Sequence, residues 1–152
     1  MEFITNSAKE TQKKAAELIK KLVNKKLGGA LVLGLVGELG AGKTTFIQGL
    51  AKTLKIKERI LSPTFVIMKR FAIGDKPFAN FYHIDCYRIE NPKELTALGF
   101  KEIIKDPKNL IVIEWAEKVK SLISKDAVWV EFEWMGEEER KIMVKNSDRM
   151  MI

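Results

Sequence analysis

The chain has 152 residues, of which 46% are hydrophobic, and carries a formal net charge of +7. This length fits one domain over 1–152, and no apolar run approaches the roughly 20 residues of a membrane-spanning helix. A single cysteine, Cys86, excludes an internal disulfide, and the excess of Lys and Arg favours an anionic partner: nucleotide, RNA or an acidic protein surface.

Met1 to Asn6 lacks the basic and apolar regions of a signal peptide, so a cytoplasmic location is expected. Residues 2–5 read as a short strand. Ser7 is placed to cap a helix from about Ala8 to Leu27, because Ala15, Ala16, Leu18, Ile19, Leu22 and Val23 recur at helical spacing. Gly28-Gly29 is expected to stop it. Lys9, Lys13, Lys14, Lys20, Lys21, Lys25 and Lys26 fall in the same span and read as a solvated face. Ala30 to Val36 reads as a buried strand, and a helix follows from near Lys43 to about Leu54.

Ile60 to Phe65 leads into a strand-like run, Phe65 to Phe71. Gly74-Asp75-Lys76-Pro77 marks a turn, and the run Phe78 to Tyr87 completes a hairpin. Asn91 can cap a helix with Pro92 at its first position, ending near Gly99. Asn109 to Glu114 reads as a buried strand. Val128, Val130, Phe132 and Trp134 then share one face of a half-exposed strand, opposite Trp129, Glu131 and Glu133. Gly136 turns it toward a last strand through Ile142 and Val144. Cys86 reads as a small strand hydrophobe, since nothing nearby is arranged to activate it.

Between the Ala30–Val36 strand and the next helix lies Gly37-Glu38-Leu39-Gly40-Ala41-Gly42-Lys43-Thr44, followed by Thr45. It fits G-x-x-x-x-G-K-[ST] in the strand, loop and helix order that a P-loop requires. Glycines let the backbone N–H groups turn inward around a phosphate, and the helix start adds its positive dipole end. Lys43 is expected to reach the β- and γ-phosphates, and the Thr44 hydroxyl to ligate Mg²⁺. The dinucleotide pattern G-x-G-x-x-G fails, because Thr45 stands where it needs Gly or Ala. The expected fold is α/β and P-loop NTPase-like: a central sheet flanked by helices, with an antiparallel hairpin portion. The P-loop strand is expected at the centre, with the nucleotide at its C-terminal end.

Hydrolysis needs an acid for Mg²⁺ and a group that positions water. Glu114 ends the apolar run Leu110-Ile111-Val112-Ile113 as such an acid does, and Asp85 ends the less regular run Phe81-Tyr82-His83-Ile84. One could hold the metal while the other acts on water or shapes the site. Thr64, after Pro63, either ligates Mg²⁺ only when ATP is bound or sits in an ordinary turn. Arg88 suits a phosphate or, preferably, a structural ion pair. His83, the lone histidine, reads as packed rather than catalytic, and Trp115 as a stacking partner for a base or a protein, or as core.

Four segments in order, residues 37–45, Ser62-Pro63-Thr64-Phe65, His83-Ile84-Asp85-Cys86-Tyr87-Arg88 and Ile113-Glu114-Trp115-Ala116-Glu117, resemble the TsaE (YjeE) family. The similarity covers almost the whole chain. It implies a Mg²⁺-dependent ATPase for threonylcarbamoyladenosine formation at position 37 of tRNAs reading codons that start with A. Its implied partners are TsaD and TsaB, with tRNA contacted indirectly or weakly. Slow hydrolysis without those partners is also implied, as when a site is completed in trans. By the same resemblance Gly37 to Thr45 hold phosphates, Thr44 and Glu114 hold Mg²⁺, Asp85 is the functional aspartate, and Trp115 stands beside the acid. Thr11 is implied to approach the adenine. Glu38, Cys86 and Ala116 depart from the family's common Asp, Leu and Pro; none removes a phosphate or metal ligand.

Two other functions compete. A small-molecule P-loop kinase would need an arginine-rich lid, but Arg59, Arg70, Arg88, Arg140 and Arg149 are scattered. A non-catalytic RNA-binding or adaptor module would use the basic surface, yet no RNP aromatic signature or helix-turn-helix is present.

Overall fold

A computed structural model of the chain describes residues 1–25, 27–61, 66–74 and 77–146. Twelve elements run in order: β1 (Glu2–Thr5), α1 (Ala8–Leu22), β2 (Leu31–Val36), α2 (Lys43–Thr53), β3 (Met68–Ala72), β4 (Asn80–Asp85), α3 (Lys93–Thr96), α4 (Phe100–Ile103), β5 (Asn109–Glu114), a 3₁₀ helix (Ala116–Leu122), β6 (Val128–Trp134) and β7 (Arg140–Asn146). The strands form one sheet in the order β1-β7-β6-β2-β5-β4-β3. The inner strands β6, β2, β5 and β4 are parallel, while β7 joins β6, β1 joins β7 and β3 joins β4 antiparallel. The P-loop strand β2 is therefore central, as expected.

Two apolar layers cover the sheet. Leu33, Leu35, Val112, Val130 and Val144 pack with Leu18 and Ile19 of α1 and Phe46, Ile47 and Leu50 of α2. Phe46 and Phe132 meet edge to face at 5.3 Å, a favoured aromatic geometry. On the opposite face Val32, Ile111, Ile113 and Ile84 pack with Leu95, Phe100 and Val119. Strand β2 alternates between the two layers because successive side chains point to opposite faces. No helix among the described residues is long and apolar enough to cross a membrane.

Helix α1 begins as expected: the Ser7 side chain accepts from the Glu10 N–H, and Glu10 Oε2 accepts from the Asn6 N–H at 2.6 Å. The arrangement resembles a capping box, with the carboxylate reaching the N–H one residue before the N-cap. The helix stops at Leu22, short of Leu27. Gly29 serves another purpose: a Cβ there would lie 2.7 Å from the Ile104 carbonyl oxygen, so glycine permits close backbone approach at the entry to β2. Asn91 and Pro92 open α3 as expected, with Asn91 Oδ1 accepting from the Lys93 N–H and Glu94 from the Asn91 N–H. Gly99, at φ 88°, marks the end of that helical stretch as expected, and a further short helix, α4, starts directly after it. The hairpin is present as β3 and β4; Ser62 to Phe65, Thr64 included, and the Asp75-Lys76 part of its turn lie outside the described residues. Trp134, at the end of β6, follows Val128, Val130 and Phe132 in the strand's alternation but is 59% exposed while Phe132 is 6% exposed.

Candidate functional site

The loop between β2 and α2 takes its shape from two glycines with positive φ, Gly40 at 78° and Gly42 at 106°. Side-chain-bearing residues rarely adopt this backbone. Gly42 is the N-cap of α2, yet no side chain caps the helix and its first turn holds no acid. The amide end of α2 thus keeps its positive partial charge for a ligand. Gly37 has a different reason to be glycine: a Cβ there would lie 2.9 Å from the Phe132 carbonyl oxygen.

Lys43 opens α2 and is buried. Its ammonium donates to the carbonyl oxygens of Gly37 and Glu38 and lies 4.1 Å from the Trp115 ring centre. Burial pushes its pKa below the ordinary lysine value, while Glu114, then Glu117, Asp85 and Glu38, pull it back up. Trp115 adopts the left-handed region at φ 58°, which side-chain-bearing residues occupy at a cost. Its ring also packs against Tyr87 at 5.2 Å.

The two candidate acids come together through strand register. Asp85 ends β4, Glu114 ends β5, and they are paired neighbours in the parallel ladder. Both are buried. Glu114 Oε1 accepts from the Thr44 hydroxyl at 3.3 Å, and its Oε2 is 2.7 Å from His83 Nε2. Asp85 Oδ1 accepts from the Tyr87 N–H at 2.9 Å. His83 is packed and satisfied, as its sequence context suggested, but its partner is the candidate acid itself. An adjacent-strand pairing of this kind leaves no local sequence signal.

These elements enclose an open cleft of about 500 Å³ above the C-terminal ends of β2, β4 and β5. From the loop and α2 it is lined by Leu39, Gly40, Gly42, Lys43, Thr44 and Thr45; from the acidic side, by Asp85, Tyr87, Glu114 and Trp115. Gly37, Glu38 and Ala41 support the loop rather than line the cleft, Ala41 being 1% exposed. Thr11 joins from α1 together with Ser7 and Ala8; it is buried, and its hydroxyl lies 2.7 Å from that of Thr5. Sequence reading missed Tyr87, Glu137, Glu138 and Arg140, which also line the cleft. Glu137 and Glu138 come from the β6–β7 turn and Arg140 from the start of β7, segments distant in sequence from every motif. Arg88 is exposed and is not among the residues that line the cleft.

The residues fit a magnesium nucleotide. Thr44 and Glu114 offer hard oxygen donors side by side, and Mg²⁺ is commonly held by one or two such groups plus phosphate oxygens and water. Among the described residues no group of three or more His, Cys, Asp or Glu is placed to hold a metal by itself. A site completed by phosphate oxygens needs no such group.

Comparison with known proteins points one way. The family profile described as threonylcarbamoyl adenosine biosynthesis protein TsaE matches residues 5–142. A protein of Rickettsia typhi named tRNA threonylcarbamoyladenosine biosynthesis protein TsaE is 36% identical over 144 residues, covering 94% of this chain and 93% of the relative. One of the same name from Bacillus subtilis is 37% identical over 111 residues, covering 73% of this chain and 66% of the relative. The crystal structure of Bacillus subtilis YdiB superposes with a TM-score of 0.68 at 29% identity, covering 93% of this chain and 82% of that one.

Proposed function

The chain belongs to the TsaE family, and we propose that it supplies ATP hydrolysis for making threonylcarbamoyladenosine at position 37 of tRNAs that read codons starting with A. It acts in the cytoplasm with TsaB and TsaD, and meets tRNA indirectly or weakly. The observation that carries the hydrolytic reading is the convergence of Lys43, Thr44, Asp85 and Glu114 on one cleft at the C-terminal edge of the parallel strands.

In this reading the loop N–H groups and the start of α2 cradle the phosphates. Lys43 leaves the carbonyl oxygens of Gly37 and Glu38 for the β- and γ-phosphate oxygens. Thr44 and Glu114 hold Mg²⁺, which when bound offsets negative charge on the transferred phosphoryl group. His83 keeps one Glu114 oxygen engaged so that the other stays beside Thr44. Asp85 orients the attacking water, and Trp115 walls the site beside Lys43. Thr11 borders the adenosine end of the cleft. Hydrolysis is slow without the partner proteins, which complete or order the site.

The test is an ATPase assay of the purified chain, alone and with TsaB and TsaD, with and without tRNA. Slow turnover with a marked rise on adding both partners is expected. Undiminished turnover in Lys43→Ala, or efficient phosphate transfer to a small acceptor in a metabolite screen, would overturn the reading.

A further inference from the structure

The first two helices carry a groove separate from the nucleotide cleft. A Cβ on Gly49 of α2 would lie 2.6 Å from the Cα and the carbonyl oxygen of Gln12 on α1, so the helices meet backbone to backbone there. Around that contact opens a groove of about 580 Å³, lined by Lys9 and Lys13 from α1 and by Lys52 from α2. All three lysines are exposed, and among the described residues none of them forms an ion pair. Lys9 and Lys13 stand one turn apart, about 6 Å along the helix axis. Lys20, also exposed, continues the same face two turns further on. Among the described residues that line the groove Glu10 is the only acid, and its carboxylate accepts from the Asn6 N–H at 2.6 Å.

The lining selects the kind of anion. Among the described residues it contains no aromatic or large aliphatic side chain; Ala16 and Gly49 are its apolar members. Protein partners anchor on buried aromatic or arginine side chains, and their interfaces are poor in lysine. A nucleic-acid backbone asks for neither. Lysines and small polar groups bind its phosphate and sugar oxygens, and counterion release drives the association. Gln12 and Thr53, both half-buried, supply such polar groups. With no ring to stack an unpaired base, the groove suits a paired stem, whose phosphates and 2′-hydroxyls are recognised by shape.

We propose that the groove between α1 and α2 binds the sugar–phosphate backbone of an RNA stem, with Lys9, Lys13 and Lys52 on its phosphates and no reading of sequence. This gives a place to the weak tRNA contact of the function proposed above and in that respect rests on it, while its own support is the charge and lining of the groove. Ser7 borders both the groove and the nucleotide cleft, so bound RNA would lie against the turn of α1 that walls the cleft.

Fluorescence anisotropy of the full chain with a labelled RNA hairpin of arbitrary sequence, at several salt concentrations, tests it. Wild type is compared with a groove triple (Lys9→Gln, Lys13→Gln, Lys52→Gln) and with Lys9→Arg, Lys13→Arg and Lys52→Arg combined. A control triple of equal net charge, Lys101→Gln, Lys105→Gln and Lys108→Gln, lies at and after α4, which packs on the other face of the sheet. In the groove triple the dissociation constant should rise about tenfold or more, and the slope of log affinity against log salt should shrink by about 2 to 3. The Arg variant and the control should stay within about threefold of wild type. Equal losses in the groove and control triples would mean that net charge alone attracts RNA, and would overturn the proposal, as would wild type without measurable binding. A DNA hairpin bound as tightly as its RNA counterpart overturns the choice of RNA. So does polyglutamate that displaces the probe as well as unlabelled RNA does, which would mark an acidic protein as the occupant. Melting of each variant checks folding. If the groove triple melts early, Lys13→Gln and Lys52→Gln singly decide: each should shrink the slope by about 1, and unchanged slopes overturn the proposal. ADP titration keeps the two readings apart. Wild type that binds RNA but not ADP overturns the nucleotide site and leaves the groove standing; wild type that binds ADP but not RNA overturns the groove alone.

Discussion

Lys43 is a cation held in a buried place by carbonyl oxygens and an aromatic face, with burial outweighing the nearby acids in setting its pKa. Phosphate groups would add negative charge beside it and favour the protonated form, raising the pKa again. Between the lowered value of the free protein and the raised value of the complex, binding must therefore take up a proton. Calorimetry of ADP binding in buffers of different ionisation enthalpy should show this uptake growing as pH rises into that window, and Lys43→Met should abolish it. The stability of the free protein follows the same sign. The unfolded chain binds more protons at this lysine, so stability rises with pH through the window below 10.5, the unperturbed value. Cys86 behaves in the opposite sense. Burial in the second apolar layer, with Asp85 adding to it, pushes its thiol up to about 12. The thiolate is the reactive form, so labelling by a thiol reagent at pH 8 should be slow in the native protein and fast in denaturant. Fast native labelling would show that this layer opens readily.

At the scale of elements, the closest approach is between α1 and α2. A Cβ on Gly49 of α2 would lie 2.6 Å from both the Cα and the carbonyl oxygen of Gln12 on α1. Alanine is normally the better helix former by about 1 kcal/mol. Here it would force two backbones apart, and overpacking of this kind typically costs about 1–3 kcal/mol. Gly49→Ala should therefore lower stability in chemical denaturation, while Gly28→Ala, with open space around it, should change it little. Such a contact shows why some of the architecture was legible and some was not. The β2–loop–α2 unit could be read because its motif, apolar strand and helix are contiguous. The acids Asp85 and Glu114 could be read because each closes an apolar run. The end of the helix near Gly99 could be read from that glycine while α4 beyond it could not, and the early end of α1 depended on where the chain must turn to meet Ile104. The 3₁₀ helix after Trp115 has too short a period to stand out. His83 with Glu114, and the β6–β7 turn with the P-loop, are pairings of distant segments, which no local pattern records.

For the whole molecule, the cleft draws its walls from α1, the P-loop, the ends of β4 and β5, and the β6–β7 turn. A ligand there ties together segments from both sides of β2, so its binding energy adds to the stability of the entire fold. At a hundredfold excess over the dissociation constant this amounts to about 2.7 kcal/mol, or roughly 5 to 10 °C in midpoint for a chain of this size. Differential scanning calorimetry with ADP and magnesium should show a shift of that order. In Lys43→Ala the shift should nearly vanish; an equal shift there would remove Lys43 from the site.

Strand β1 pairs with β7 alone, from Glu2 opposite Met143 to Thr5 opposite Arg140. During synthesis β1 must therefore wait for β7 before it can pair. Until β7 emerges, Thr5 has no sheet to hold it beneath Thr11, and Arg140 has not been made. A nascent chain already owns a complete P-loop sequence by Thr44, yet it lacks one wall of the cleft for about another hundred codons. Nucleotide can lend its stabilisation once β7 is in place, but the growing chain must reach β7 without that help.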